Sequence, residues 1–281
     1  MWSMLEVIPE TPRIEILDVG ASLNDLPSYQ PLVDAGRARI TGFEPNPGEL
    51  AKVRAKYGAT HRFLPDFVGD GNPAVFHETN WALTGSLYEP NTPLLEKFQN
   101  LAELTTPVAA HPVRTTRLDD VADLGDIDFI KIDVQGSELA VFKGGRRALS
   151  TALMVQAEVE FVELYRGQPL FADVDIFLRG QGFQFHSFPG FGSRAFKPMV
   201  ANGDINSTFG QILWSDAFYV RDWMALDALD AAKLRKYAVL VHDVLRAYDL
   251  AHLVLAALDR RTGANVAADY LGRLMKGPLT R

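Results

Sequence analysis

Two sets of carboxylates are placed where they could do chemistry. Asp133 follows the apolar run Phe129-Ile130-Lys131-Ile132, and Glu158 lies within another, Ala152 to Phe161. Both runs read as strands, expected to be neighbours. Strand alternation puts Lys131 with Asp133 on one face, and Glu158 with Glu160 on one face. Two facing carboxylates can act as general base and partner, or hold one Mg2+. Buried charges are costly unless paired, so mutual pairing among these four is the competing account. Asp133 could also cap the helix expected after Gln135-Gly136-Ser137-Glu138.

The second set is Asp18, in Asp18-Val19-Gly20-Ala21-Ser22, and Glu44, which closes the next strand. An acid at the end of a second parallel strand can accept hydrogen bonds from both hydroxyls of an adenosine ribose. A dinucleotide fingerprint needs three glycines so that the backbone can approach a pyrophosphate. Here only Gly20 is present, followed by Ala21-Ser22-Leu23-Asn24. S-adenosylmethionine, an adenosine ligand without phosphate, fits this pair better than NAD. The other reading of Glu44 is a favourable charge at the start of the helix after Pro45.

The elements that must position these groups alternate in type. Strands are predicted at Ile14–Gly20, Arg39–Glu44, Thr60–Val68, Ile127–Val134, Ala152–Phe161, Phe183–Phe188 and Gln211–Val220. Helices are predicted at Tyr29–Gly36, Gly48–Tyr57, Ser137–Leu149 and Asp173–Arg179. Such alternation implies right-handed βαβ units and a parallel sheet covered on both faces. The long connection Pro189–Gly210 favours an antiparallel hairpin at the sheet edge. The segment Asn72–Arg114, rich in Pro, Asn and Thr, breaks the alternation and reads as a long functional or disordered loop. From Asp222 on, apolar residues recur at helical spacing: Leu234, Ala238, Val241, Leu245 and Tyr248, then Leu250 to Leu258, then Val266 to Met275, stopped by Gly277-Pro278.

Composition narrows the classes. The 281 residues admit one large domain or two small ones. At 47% hydrophobic and 22% charged, the chain is not a disordered one. A net charge of −7 argues against a nucleic-acid partner and against an anionic membrane surface. With no cysteine, thiolate nucleophiles, zinc–cysteine sites and disulfides are excluded. The six histidines show no metal-ligand spacing, though His77 and His186 could enter a pocket. The start lacks a basic signal-peptide region, and Ala251–Leu258 is far shorter than the roughly 20 residues of a membrane span. A soluble, cytoplasmic protein is expected.

Several ordered motifs together resemble the FkbM family of S-adenosylmethionine-dependent methyltransferases. They are Ile16-Leu17-Asp18-Val19-Gly20-Ala21-Ser22, Gly42-Phe43-Glu44-Pro45-Asn46, Gly85-Ser86-Leu87-Tyr88-Glu89-Pro90-Asn91, Thr116-Arg117-Leu118-Asp119-Asp120, Asp128 to Glu138, Glu158-Val159-Glu160-Phe161, Tyr165 to Phe171 and Gln211 to Asp216. The similarity runs from about residue 14 to 221. It departs at Leu23-Asn24-Asp25, where many members have a further glycine.

The resemblance implies a class I methyltransferase (Rossmann-like) α/β fold: a seven-stranded, mostly parallel sheet with an antiparallel edge strand, plus C-terminal helices. Residues 1–221 would form the methyltransferase domain and 222–281 a helical extension, which is either a cap, a lid or a homodimer surface. It implies O-methylation of a hydroxyl on a small molecule, natural product or sugar. Asp18, Gly20 and Ser22 would line the methionine end of the cofactor, Glu44 with Pro45 the ribose, and Asp66 with Phe67 the adenine. Asp133 would be base or metal ligand, with Glu158 orienting the acceptor or sharing the metal. Ser86, Tyr165 and Gln168 would form acceptor-selecting walls, and Trp214 could stack on a sugar or aromatic acceptor. The alternatives are a non-catalytic S-adenosylmethionine-binding or partner module, and an NAD-dependent oxidoreductase disfavoured by the missing glycines.

Overall fold

A computed structural model describes residues 2–23, 26–200 and 202–276. The expectations at Asn24-Asp25 and at Gly277-Pro278 lie outside these residues.

Among the described residues the strands are β1 (Ile14–Val19), β2 (Ala38–Phe43), β3 (Arg62–Leu64), β4 (Pro73–Thr79), β5 (Pro107–Arg114), β6 (Phe129–Ile132), β7 (Met154–Glu160), β8 (Phe183–Ser187), β9 (Gly192–Ser193) and β10 (Ile212–Arg221). The helices are α1 (Gln30–Asp34), α2 (Pro47–Tyr57), α3 (Thr92–Leu95), α4 (Leu101–Leu104), α5 (Glu138–Gly144), α6 (Arg146–Thr151), α7 (Phe171–Gly180), α8 (Ala231–Val239), α9 (Tyr248–Thr262) and α10 (Val266–Leu274).

The main sheet runs β3-β2-β1-β6-β7-β10-β8, with the two-residue β9 also on β10. Its first five strands are parallel, and β10 is antiparallel to both neighbours. The antiparallel strand expected at the edge therefore sits one place in from it, with β8 outside. The order turns at β1 and β6, so the carboxyl ends of β1, β2, β6 and β7 open onto one crevice.

Both faces are covered. Ile14 and Ile16 of β1 point to one layer, Leu17 and Val19 to the other, as alternation requires. The first layer is closed by the C-terminal helices: Leu234, Tyr237, Ala238, Leu250, Val254 and Leu258 share a core with β1 and β2. Most of their apolar residues are thus buried within the chain, while Leu253, Leu271 and Met275 stay exposed. Asp128, fully buried at the foot of β6, ties α8 down by accepting from Lys233 at 2.8 Å and Lys236 at 2.6 Å. At the chain start, Asp243 accepts from Ser3 Oγ at 2.6 Å and from the Met4 amide at 2.9 Å.

Three local readings change. The stripe Leu234–Tyr248 is not one helix. It passes through a π turn, Leu240–Val244, and breaks at Arg246, which has φ +57°. The single helix expected over Ser137–Leu149 is two. At Gly144 a side chain is impossible, since a Cβ would stand 2.2 Å from the Gly69 carbonyl oxygen. The segment Asn72–Arg114 is no unstructured loop. Its outer parts form the β4–β5 hairpin, separate from the main sheet. No helix among the described residues is long and apolar enough to cross a membrane.

Candidate active site

The crevice is a cavity of about 850 Å3 with the hairpin at one wall. That size falls within the range of about 300–1,000 Å3 typical of small-molecule sites. Gly20, Ser22, Glu44, Pro45, Asp66 and Phe67 line one end, and Ser86, Asp133, Gln135, Glu158, Glu160, Tyr165, Arg194 and Trp214 the other.

At the first end the chain turns at Gly20, with φ +83°. A Cβ there would stand 2.0 Å from the Asp133 carbonyl oxygen. Only glycine allows the β1 turn to rest on the end of β6, an approach sealed by the Asp133 amide donating to Val19 O at 3.0 Å. Glu44 is 8% exposed and its Oε1 accepts from the Asn46 amide at 2.8 Å. Helix α2 is capped by Asn46 itself, through Gly48 and Glu49. Glu44 is therefore not the cap, and it forms part of the cavity lining. Burial pushes its carboxyl above the ordinary range, partly offset by the Asn46 amide. An acceptor of hydroxyl hydrogen bonds at this point fits a ribose. Asp66 accepts from Thr116 Oγ1 at 3.1 Å, and Phe67 packs on Phe76 of the hairpin at 5.0 Å between ring centres.

Asp18 is not in the cavity wall. Alternation turns it to the Ile14–Ile16 face, where it is buried under α1. Its carboxylate accepts from the Tyr29 hydroxyl and lies 3.6 Å from Lys131 Nζ, its register partner on β6. The pairing foreseen for Lys131 thus goes to Asp18. Burial alone would lower the Lys131 amine, but Asp18, then Asp133, Asp216 and Glu158, push it upward. A fixed cation therefore lies beside Asp133 and Glu158.

At the other end, Ile132 pairs with Ala157, so the next residues, Asp133 and Glu158, come side by side. Gln135 joins them. Its Nε2 donates to Asp133 Oδ1 at 2.8 Å and to Glu158 Oε2 at 2.6 Å. Its Oε1 accepts from the Tyr165 hydroxyl at 2.9 Å, and its carbonyl oxygen from Ser86 Oγ at 2.6 Å. Its backbone is left-handed, φ +55°, which is uncommon and costly for a non-glycine residue. The helix cap after it is Ser137, not Asp133. Burial, then the Asp133 and Glu160 charges, push Glu158 well above the carboxylate range, which favours its protonated form. Burial, then the Glu138 and Asp133 charges, act likewise on Glu160.

The amide of Gln135 occupies the place a cation shared by Asp133 and Glu158 would need. The arrangement does not offer both carboxylates to one Mg2+. No group of three or more His, Asp or Glu among the described residues is placed to hold a metal.

The expected acceptor walls are partly committed elsewhere. Ser86 and Tyr165 line the cavity, but their hydroxyls hold Gln135, and Tyr165 also reaches Thr84 O at 2.9 Å. Gln168 lies behind the wall, its Oε1 accepting from the Tyr165 amide at 2.6 Å. Trp214 is in the wall, yet Gly192 packs on its ring and the Arg194 guanidinium lies over it at 5.3 Å. His77 and His186 are outside the lining. His111 is within it, 2.7 Å from Glu78 Oε2 across the hairpin. Gln135 and Arg194 carry no spacing signal in the sequence. The one hint at Gln135 is its place between a strand end and Gly136.

The domain model described as "Methyltransferase FkbM domain" matches residues 18–185. The 2-O-methyltransferase NoeI of Sinorhizobium fredii (strain NBRC 101917 / NGR234) is 33% identical over 182 residues, 59% of this chain and 72% of that protein. Among solved structures, the precorrin-6y C5,15-methyltransferase of Geobacter metallireducens GS-15 is 13% identical with a TM-score of 0.37, over 78% of this chain and 85% of that one. TrmK of M. capricolum, in complex with S-adenosylhomocysteine, is 9% identical with a TM-score of 0.37, over 92% and 97%.

Proposed function

The chain belongs to the FkbM methyltransferase family and is an S-adenosylmethionine-dependent O-methyltransferase, and from that premise we propose that the cavity takes a small-molecule or glycan hydroxyl as methyl acceptor, with Asp133 as its general base. The observation behind this is the Asp133–Gln135–Glu158 clamp, which lines the same cavity as Glu44.

The cofactor would supply an already activated methyl group on a sulfonium. Glu44 would hold its ribose hydroxyls, Gly20 and Ser22 would border its methionine end, and Asp66 with Phe67 its adenine. The work left to the chain is to align an acceptor oxygen and remove its proton. Alignment can lower a barrier by about 7–11 kcal/mol in ideal intramolecular cases. A neutral alcohol is a poor nucleophile, so its proton must leave during transfer. Asp133 would take it. Protonated Glu158 would donate to the acceptor and orient it. Gln135 fixes the two carboxyl groups relative to one another. Lys131, beside them, would offset negative charge at Asp133. A wall of six carboxyl groups, with Arg194 the one lysine or arginine in it among the described residues, makes a polyanionic acceptor such as nucleic acid unfavourable.

Calorimetry with S-adenosylmethionine, S-adenosylhomocysteine and NAD tests the cofactor half, and methyl-donor turnover on a panel of hydroxylated acceptors the other. The expected result is binding of the first two, none of NAD, and transfer to hydroxyl oxygen. Asp133→Asn with a full transfer rate would overturn the assignment of the base.

A further inference from the structure

Among the described residues, Arg194 is the only lysine or arginine in the cavity wall, against six carboxylates: Glu44, Asp66, Glu78, Asp133, Glu158 and Glu160. If it served to neutralise that wall, it would be paired with one of them. No carboxylate of the described residues lies within ion-pair distance of it. Its Nη1 donates to the Ser193 carbonyl oxygen at 2.8 Å, while its Nε is buried with no acceptor. A guanidinium cannot escape by losing its proton, so a half-buried, unpaired one keeps the full cost of its charge. The side chain is also held in place. It lies on the Trp214 ring, which is packed from Gly192, where any Cβ would stand 2.0 Å from the indole. Burial lowers its affinity for the proton, and the charge that opposes this, Asp204, is not in the cavity wall.

A planar, oriented guanidinium with an unused N–H suits an anionic oxygen group, which it can grip by charge-assisted hydrogen bonds. We propose that Arg194, braced on Trp214, is an acceptor subsite for a single carboxylate, sulfate or phosphate group carried by the molecule whose hydroxyl is methylated. This rests on the cavity being the acceptor site. It confines the acceptor's negative charge to one group, which the acidic wall around Asp133 tolerates because that charge is held at Arg194.

The test uses the full-length protein loaded with S-adenosylmethionine and matched probes: methyl glucoside against methyl glucuronide, glucose 6-sulfate and glucose 6-phosphate. The three anionic probes distinguish the anion. The expected result is a kcat/KM at least tenfold higher for one anionic probe than for the neutral one, with the ratio collapsing toward one in Arg194→Gln and only partly kept in Arg194→Lys. S-adenosylhomocysteine affinity should stay unchanged in both variants, showing that they fold. Equal use of neutral and anionic probes, or a preference that survives Arg194→Gln, would overturn the proposal. If none is methylated, the same probes are titrated calorimetrically against protein loaded with S-adenosylhomocysteine, and equal or absent binding of all four also overturns it. Failure of the wild type to bind S-adenosylhomocysteine would instead strike the reading of the cavity itself.

Discussion

Gln135 donates to Glu158 at 2.6 Å, and this bond joins the turn after β6 to the end of β7. The same nitrogen holds Asp133, so both hydrogens of one amide are spent on two carboxyl groups. Gln135→Glu would replace the two donors with a third carboxyl group. The expected effect is a fall in kcat of about 100-fold from misplacement of the reacting groups, with S-adenosylhomocysteine affinity unchanged by calorimetry. A wild-type rate would remove Gln135 from the clamp.

Glu158 is favoured in its protonated form by burial and by the neighbouring Asp133 and Glu160 charges. Its protonated form therefore persists below its raised folded-state pKa and is lost as pH rises through it. Transfer should fall on the alkaline side. Glu158→Gln, which imitates the neutral acid, should keep most of the neutral-pH rate and lose that alkaline fall. Asp133→Asn should lower kcat by about 10²–10⁴-fold at every pH. Rate profiles of the three proteins check all of this.

Glu138, buried and accepting from the Val134 amide at 2.8 Å, is pushed up to about 7, chiefly by burial. The folded form then binds the proton more tightly than the unfolded one. That contribution is whole below pH 4.5 and is lost as pH rises through about 7, worth on the order of 3 kcal/mol. The Tm should drop between pH 5 and 8, and the drop should be smaller in Glu138→Gln.

Removing Asp128 would leave Lys233 and Lys236 without their buried partner. Asp128→Ala is expected to cost about 3–5 kcal/mol, the range for breaking a buried ion pair from one side. Urea unfolding measures it. A cost under 1 kcal/mol would mean that apolar packing alone holds α8 to the sheet.

Since Asn46 caps α2, Glu44→Ala should leave the Tm nearly unchanged. Loss of charge-assisted hydrogen bonds of about 1.5–3 kcal/mol should weaken S-adenosylhomocysteine binding by about 10–100-fold. Unaltered affinity would dismiss Glu44 as the ribose partner.

The parallel half of the fold was legible because β1, β6 and β7 are buried at all but one position each, and strands buried on both faces are rich in apolar residues. Asp133 and Glu158 could be paired from strand ends alone. Strands β4 and β5 left no such trace. β5 has no buried residue and β4 only Thr79, so neither face needs a run of apolar residues, and Pro73, Pro107 and Pro112 are tolerated in a two-stranded ribbon. Asp18 was misjudged because a strand end points two ways, and only the packing of Tyr29 shows which. Gln135 was invisible for another reason: its role depends on a left-handed backbone and on three partners distant in sequence, Ser86, Glu158 and Tyr165.

The contact of Gly20 with the Asp133 carbonyl oxygen has a consequence for how this enzyme could change its range. The turn proposed to border the cofactor and the residue proposed to take the proton are pressed into one unit, with no room for a side chain between them. The distance between methyl group and base is thereby insulated from the rest of the cavity. New acceptors could be accommodated by remodelling the hairpin side, from Trp81 to Leu87, while the reacting geometry stays as it is.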